Sequence, residues 1–432
     1  MAIVDLHRPT SANAPATTDK TAMAVVTTLF FMWGFLTVLN DILIPHLKPI
    51  FDLNWVKIML IQLSYFSGYL CFSVPAGKLI DWIGHKWAMV SGLLIMALGS
   101  FLFIPAAIVA SYPLFLAALF VLSVGITILQ VSANPYVAVL GPPRTASSRL
   151  NLAQGFNSIG TVLAPYLGGL FILTAVPSME TIRGLSPEAL QAFRVHQAAS
   201  VKLPYLALGL IAVALGLAIA FYKLPVIGHV QHQKDEHLES VWKYRHLVLA
   251  SIGIFVYVGA EVSIGSVLIK YIMQPNIGNI SAKLAATYLG FFYWGGLMVG
   301  RFSGSALLQR ISSKAVLGVS AAAAILLVSI SMLSSGHVAM WSVILVGLFN
   351  SVMFPIIFTW GIAELGPVTS KGSSMLVMSI VGGGLIAISV GALADRVGVQ
   401  RALILPVLCY LYVLVYTFIG SKPSGPGIRT TT

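Results

Sequence analysis

The chain has 432 residues, of which 58% are hydrophobic and only 9% charged. A soluble domain carries roughly 25% charged residues, so this composition excludes a water-soluble domain large enough to fold alone. The net charge is +12, but Lys and Arg stand singly between apolar segments, which excludes a nucleic-acid-binding stripe and marks them as topology signals.

In chain order, Met1 to Lys20 is polar, rich in Thr, Ala and Pro, and lacks an apolar core. It is expected to be a disordered tail (residues 1–21) and not a cleaved signal peptide. Apolar segments of about 20 residues, long enough to span a bilayer as helices, then follow to the end of the chain. The alternating pattern of a β-barrel is absent, so the fold class is an all-α membrane protein. Twelve spans are expected. The first six are Met23–Pro45, Trp55–Ile80, Trp87–Ala110, Pro113–Leu140, Leu150–Thr174 and Leu203–Leu224. The second six are His246–Ile269, Leu284–Leu308, Ala315–Leu333, Val338–Ala363, Ser374–Leu393 and Ala402–Gly420. They divide into bundles at 22–224 and 246–421, with a linker at 225–245 and a tail at 422–432.

The connection Ala175 to Lys202 holds a short helix signal, Ser186 as cap with Pro187 at the first position. The linker is the most hydrophilic stretch. Its His229, His232 and His237 read as solvated residues, because no Cys or regular ligand spacing accompanies them; no metal and no cofactor is expected. Cys71 and Cys409 lie in apolar segments and build no disulfide framework. Lys and Arg are in excess on the side of the N-terminus, which favours both termini in the cytoplasm.

The halves resemble each other. Leu140-Gly141-Pro142 follows span four and Leu365-Gly366-Pro367 follows span ten; Gly77 and Asp81 after span two match Gly304, Gln309 and Arg310 after span eight. Carriers with such repeats bind their substrate between the halves.

An acid in an apolar helix costs about 2.5–3.5 kcal/mol on insertion scales, so Asp41, inside the run Phe30 to Pro45, calls for a purpose. Trp33, Thr37 and Asn40/Asp41 share its helical face. The bland alternative puts Asp41 in water at the outer helix end, next to Pro45, His46 and Lys48. Span four presents Thr127, Gln130 and Asn134, with Pro135 as a kink; span five presents Asn151, Gln154 and Asn157/Ser158. Amides both donate and accept, as a neutral polyol requires. One amide stripe more often joins helices; three with few charges point to a sugar-lined cavity.

Span seven carries a second deep acid, Glu261, one turn after Tyr257; the alternative is a buried acid paired with a base. Tyr288, Tyr293, Trp294 and Trp360 offer rings to stack on a sugar or to pack the core, and Asn350 is a further polar candidate. Arg301 and Glu364, near inner span ends, either snorkel or form an inner gate pair.

The segment Gly77-Lys78-Leu79-Ile80-Asp81-Trp82-Ile83-Gly84-His85-Lys86 resembles the signature between spans two and three of the major facilitator superfamily. Gly77, Asp81, Gly84 and Lys86 match it; Trp82 and His85 replace basic positions, which weakens the usual charge latch. The resemblance places Asp81 opposite the start of span eleven, near Lys371-Gly372-Ser373. Four further strings narrow the match: Leu39-Asn40-Asp41-Ile42-Leu43-Ile44-Pro45, Ala133-Asn134-Pro135-Tyr136, Arg149-Leu150-Asn151-Leu152-Ala153-Gln154 and Gly372-Ser373-Ser374. They are similar to the fucose permease branch, above all to its bacterial glucose/galactose transporters.

The resemblance implies two pseudo-symmetric six-helix bundles and secondary active import of a hexose by alternating access, with proton or sodium ion as coupling cation. It implies a monomer in the bacterial inner membrane, with a monosaccharide and the lipid bilayer as partners and no nucleic acid. L-fucose and N-acetylglucosamine are the alternative substrates, and a non-transporting sugar sensor is the alternative class. A membrane enzyme is not expected, since no intramembrane nucleophile–base set or metal cluster is present. Fucose permeases use two membrane acids. One matches Asp41; the other falls at Gln130, which cannot carry a proton. The glucose/galactose members share that Gln and carry an acid at the place of Glu261. Asp41 and Glu261 are therefore expected to share coupling. Trp33, Asn40, Gln130, Asn134, Gln154, Asn157, Tyr288, Trp294, Asn350 and Trp360 are the expected sugar-binding set, and Gly77, Asp81, Gly84, Lys86, Arg301 and Glu364 the gating and structural set.

Overall fold

The computed structural model describes residues 17–51, 53, 55–171, 184–225, 240–420 and 422–424; the side chains of 40–46, 48, 49, 55, 56, 58, 59 and 168–171 lie outside that description. So do most of the N-terminal tail, residues 172–183 and the histidines of the linker. Among the described residues every regular element is helical.

Helix α1 (Lys20–Phe51) starts where the Asp19 carboxylate accepts the backbone N–H groups of Thr21 (3.0 Å) and Ala22 (2.9 Å), a side-chain N-cap. It runs past Pro45, where the sequence reading ended span one; membrane helices absorb the missing N–H. Helix α2 (Trp55–Val109) contains both span two and span three, which meet at Gly84 (φ 79°, ψ 166°), a conformation open to glycine. Helices α3 (Tyr112–Val139) and α4 (Ala146–Phe171) are spans four and five, joined by the 3-10 turn Pro143–Thr145. Helix α5 (Pro187–Ala198) is the expected short helix, with Ser186 accepting the N–H of Ala189 at 3.2 Å. Helix α6 (Lys202–Phe221) completes the first half.

In the second half α7 (Arg245–Ile272) is span seven. Span eight is composite: α8 (Ala282–Tyr288) passes through a π-helical turn (Leu289–Trp294) into α9 (Gly295–Leu307). Span nine is α10 (Ser313–Leu333). Span ten breaks into α11 (Gly336–Asn350) and α12 (Met353–Gly361). Span eleven is α13 (Thr369–Met378) and α14 (Gly382–Val397), joined by the 3-10 turn Ser379–Val381. Helices α15 (Val399–Ala402) and α16 (Ile404–Ile419) form span twelve. Among the described residues nine helical stretches are long and apolar enough to cross a membrane. Leu60–Val109 holds two crossings, and α4 and 282–307 bring the total to twelve.

Within the halves α2 packs on α3 and α6, α1 on α4, and α7 on α12, α14 and α16. The sequence repeat is structural: the 3-10 turns Pro143–Thr145 and Gly366–Val368 each lead into the helix of the following span. Alternating direction puts the starts of α1, α4, α7 and α13 on one face, here the N-terminal face.

Arg149 staples this face. Its guanidinium donates to the carbonyls of Val137 (3.1 Å), Pro142 (2.9 Å), Gly141 (3.1 Å) and Ala138 and to the Thr145 hydroxyl (2.7 Å). Val137 and Ala138 lie in the last turn of α3, whose carbonyls lack a full set of helical partners, and Gly141 and Pro142 lie in the turn that follows. Hydrogen bonds to charged groups contribute about 1.5–3 kcal/mol each. Arg149→Met is therefore expected to lower stability by at least about 3 kcal/mol, read as a lower unfolding temperature in detergent; an unchanged temperature would show that water replaces the staple.

Candidate functional site

In the first half a chain of polar groups crosses three spans. The Thr37 hydroxyl donates to the Trp33 carbonyl (2.8 Å), Tyr65 donates to Thr37 (2.8 Å), the Tyr65 and Tyr69 hydroxyls lie 3.2 Å apart, and the Gln130 amide donates to Tyr69 (2.9 Å). The ring of Trp33 leans on Phe30 at 4.1 Å. Asn134, one turn on from Gln130, is fully buried and neither amide atom has a partner. Asn40 and Asp41 lie on α1, but their side chains are outside the described residues.

The second half builds its own group around Glu261, which is 9% exposed. Tyr293 donates to the Glu261 carbonyl (3.0 Å), Asn350 donates to the Tyr293 hydroxyl (3.3 Å), and Tyr257 donates to the Asn350 carbonyl (2.9 Å). The buried hydroxyl of Tyr410 belongs to the same group. Glu261 Oε1 is buried without a partner, as is Asn350 Oδ1. The π turn, a feature that favours functional positions, carries Tyr293 and Trp294; Trp294 rests on Gly265, one turn beyond Glu261.

Arg301 joins the halves. One terminal nitrogen donates to the Gln154 carbonyl (3.0 Å), Asn157 Oδ1 (3.2 Å) and the Ser158 hydroxyl (2.7 Å), all on α4. Asn151 of α4 returns a bond to the Arg301 carbonyl (2.6 Å), and the Asn157 amide donates to the Phe30 carbonyl (3.0 Å). Closer to the N-terminal face Ser147 meets Thr359 (2.6 Å), and Ser148 and Ser305 exchange bonds to each other's carbonyls (2.7 and 3.0 Å). The matching contact of the other repeat is Ser373 donating to the Val131 carbonyl (2.8 Å). Two glycines permit this approach: a Cβ at Gly77 would collide with Ser374 and stand 3.0 Å from the Ser370 carbonyl, and one at Gly304 would stand 2.8 Å from the Asn151 amide. The two halves are thus drawn together at the N-terminal face and the middle.

Several expected residues lie elsewhere. Arg301 does not pair with Glu364, which stands exposed just past α12 with φ 55°; the guanidinium is buried against α4 instead. Asp81 is exposed and makes no hydrogen bond among the described residues; Gly77 makes the approach to α13. Lys86 lies over the Trp87 ring at 5.3 Å. Tyr288 packs with Phe292 and Trp341, and Trp360 bonds to Ser313 (3.1 Å) and packs on Tyr416, so neither joins the Glu261 group. Of the amides, Asn157 is engaged by Arg301 and α1, Gln130 by Tyr69 and Asn350 by Tyr293, while Gln154 is buried. Sequence reasoning missed Tyr65, Tyr69 and Tyr410. The signal available for the first two was a pair of tyrosines four residues apart on one face of span two.

Twelve crossings in two repeated halves, with polar groups at their junction, define a membrane carrier of the secondary-transporter kind. Comparison with known proteins bears this out. The model of the Major Facilitator Superfamily matches residues 21–378, and the chain belongs to that family. A glucose/galactose transporter of Brucella abortus is 48% identical over 402 residues, 93% of this chain and 94% of that one. The L-fucose-proton symporter of Escherichia coli is 36% identical over 412 residues, 92% and 93% of the two chains. The crystal structure of a Major Facilitator Superfamily transporter, FucP, in the outward conformation superposes with a TM-score of 0.84 at 34% identity, covering 93% of this chain and 98% of that one.

Proposed function

We propose that this chain is a hexose–proton symporter, with glucose or galactose as substrate, working by alternating access in the bacterial inner membrane. The observation that carries this reading is the character of the polar centre: amides and hydroxyls for a neutral polyol, with one carboxylate, Glu261, among the described side chains. Relatives named for glucose/galactose and for L-fucose-proton transport support the substrate class. Gln130, Gln154, Asn350 and Trp294 are the sugar-binding candidates that lie at the centre, with Trp33 and Asn134 beside them. Asp41 and Glu261 carry coupling.

The proton is favoured over sodium by the relative named an L-fucose-proton symporter. The N-terminal face is taken as cytoplasmic and both termini with it, so the shut face is the inner one and the centre is reached from outside. The bundles are 22–224 and 246–421, joined by the linker 225–245, and the working unit is a monomer.

The test is uptake of radiolabelled glucose and galactose into proteoliposomes under an imposed inward proton gradient or sodium gradient, with wild type and Asp41→Asn. Wild type is expected to accumulate sugar under the proton gradient alone, and Asp41→Asn to lose at least tenfold. Accumulation driven by sodium alone would overturn the proton assignment, and uptake only of L-fucose or N-acetylglucosamine would overturn the hexose.

A further inference from the structure

We propose that Thr37, Tyr65 and Tyr69 are positioning residues that fix which end of the Gln130 amide meets the sugar, so that this point of the centre takes a hydroxyl as donor and rejects a group that can only accept. The inference rests on the hexose reading above.

The order of donors follows from the protons each group has to give. A backbone carbonyl only accepts, and a hydroxyl donates once. Thr37 gives its proton to the Trp33 carbonyl at 2.8 Å, within α1. Its oxygen is therefore an acceptor, and Tyr65 donates to it at 2.8 Å. The Tyr65 proton is then spent, so Tyr69 is the donor across the 3.2 Å between the two phenol oxygens. Tyr69 has only lone pairs left for Gln130, and the atom that meets them at 2.9 Å is the amide nitrogen Nε2. Turned over, the amide would leave two facing oxygens in this chain with no proton between them. The polarity starts at a carbonyl that cannot reverse and ends at Gln130.

Packing holds the chain in place. It crosses α1, α2 and α3, and both tyrosines are buried. Their rings meet edge-on at 5.7 Å, and Phe66 stands edge-on to Tyr65 at 5.6 Å. The amide nitrogen is thereby pinned at Tyr69, and Oε1 is left as the acceptor. Among the described residues Oε1 takes no hydrogen bond, and protein does not close it off as it closes off both amide atoms of Asn134 one turn on. A sugar hydroxyl that donates satisfies it. A fluorine or an ether oxygen at the same point sets acceptor against acceptor, and a site built to bond a hydroxyl rejects an analogue that lacks it.

The experiment is exchange of radiolabelled glucose and galactose across proteoliposomes at equal concentrations, competed by the monodeoxyfluoro analogues of each sugar. A C–F group has nearly the size of C–OH but no proton to donate. The wild type is expected to bind one analogue at least tenfold more weakly than the parent sugar. In Tyr69→Phe the amide turns freely, and that discrimination should fall below about threefold while those at the other hydroxyls keep their wild-type values. Thr37→Val, at a hydroxyl that bonds neither Gln130 nor Tyr69, releases the Tyr65 proton toward Tyr69, lets the chain reverse and should give the same loss. Thr37→Ser keeps the hydroxyl and the discrimination. The double variant Thr37→Val with Tyr69→Phe should lose no more than the larger single effect, since both act through one chain. If Tyr69→Phe does not fold, the pair Thr37→Val and Thr37→Ser decides the matter. Wild-type discrimination in Thr37→Val, an equal fall at every hydroxyl, or a wild type that binds all the analogues as well as the parent sugars would overturn the inference. Absence of glucose and galactose exchange by the wild type would instead overturn the hexose reading.

Discussion

Glu261→Gln is expected to abolish gradient-driven sugar accumulation while sugar exchange continues. Gln has the size of the acid and, like the protonated acid, both donates and accepts a hydrogen bond. Tyr293 donates to the Glu261 backbone carbonyl, a contact that survives the change, and the amide oxygen of Gln can keep the side chain's hydrogen bond with Tyr257. What is lost is the cycle of loading and release. The accumulation ratio should therefore fall to about one, and the dependence of exchange on pH should flatten. Measuring accumulation and exchange side by side in proteoliposomes separates this from a binding defect, which would depress both. Equal proton-driven accumulation in Glu261→Gln and wild type would return the whole coupling role to Asp41.

The second large effect belongs to Gly77. A branched side chain there must push span two away from the Ser370 carbonyl and Ser374 of α13. Over-packing of this kind costs about 1–3 kcal/mol in a core. Here the chain has a cheaper escape, because the N-terminal face can open. A bias of about 1–3 kcal/mol shifts a two-state equilibrium by roughly 5- to 150-fold. Gly77→Ile is expected to hold the face open, raise maleimide labelling of Ser148→Cys by at least tenfold and stop net uptake. Gly304→Ile should act in the same direction, its side chain meeting Val352 of its own half as well as Asn151 of span five. Labelling at the wild-type rate in both variants would show that the two halves do not move apart along these spans.

Much of the architecture could be read from the residues. Long apolar segments, the Leu-Gly-Pro repeat and the Ser186-Pro187 cap each rest on local physics that tertiary context did not change. The breaks inside spans were legible only in part. The interruption of span ten after Asn350 falls four residues before Pro355, which has no N–H to donate and crowds the Ser351 carbonyl, whereas the π turn of span eight carries no such mark. The amide stripes were visible as stripes, but periodicity gives a face and not a partner. Asn151 and Asn157 bind the opposite half and α1, whereas Gln130 joins a tyrosine chain. Arg301 was read against Glu364 because both sit near inner span ends; the structure turns it sideways, toward span five. Tyrosines were undercounted because an aromatic ring in a membrane span is ordinarily core, and only the positions of the hydroxyls distinguish Tyr65 and Tyr69.

The serines and threonine that close the N-terminal face have a consequence for the medium. Ser147, Ser148, Ser305, Thr359 and Ser373 bind one another or backbone carbonyls, so the outermost contacts of this closure carry no net charge. Surface ion pairs weaken as ionic strength rises and the Debye length shrinks from about 10 Å at 0.1 M to about 3 Å at 1 M. Neutral hydroxyl contacts are not screened in that way, and Arg301, which among the described residues supplies a charged contact between the halves, is buried. The balance between shut and open faces is thereby insulated from the salt content of the compartment it borders.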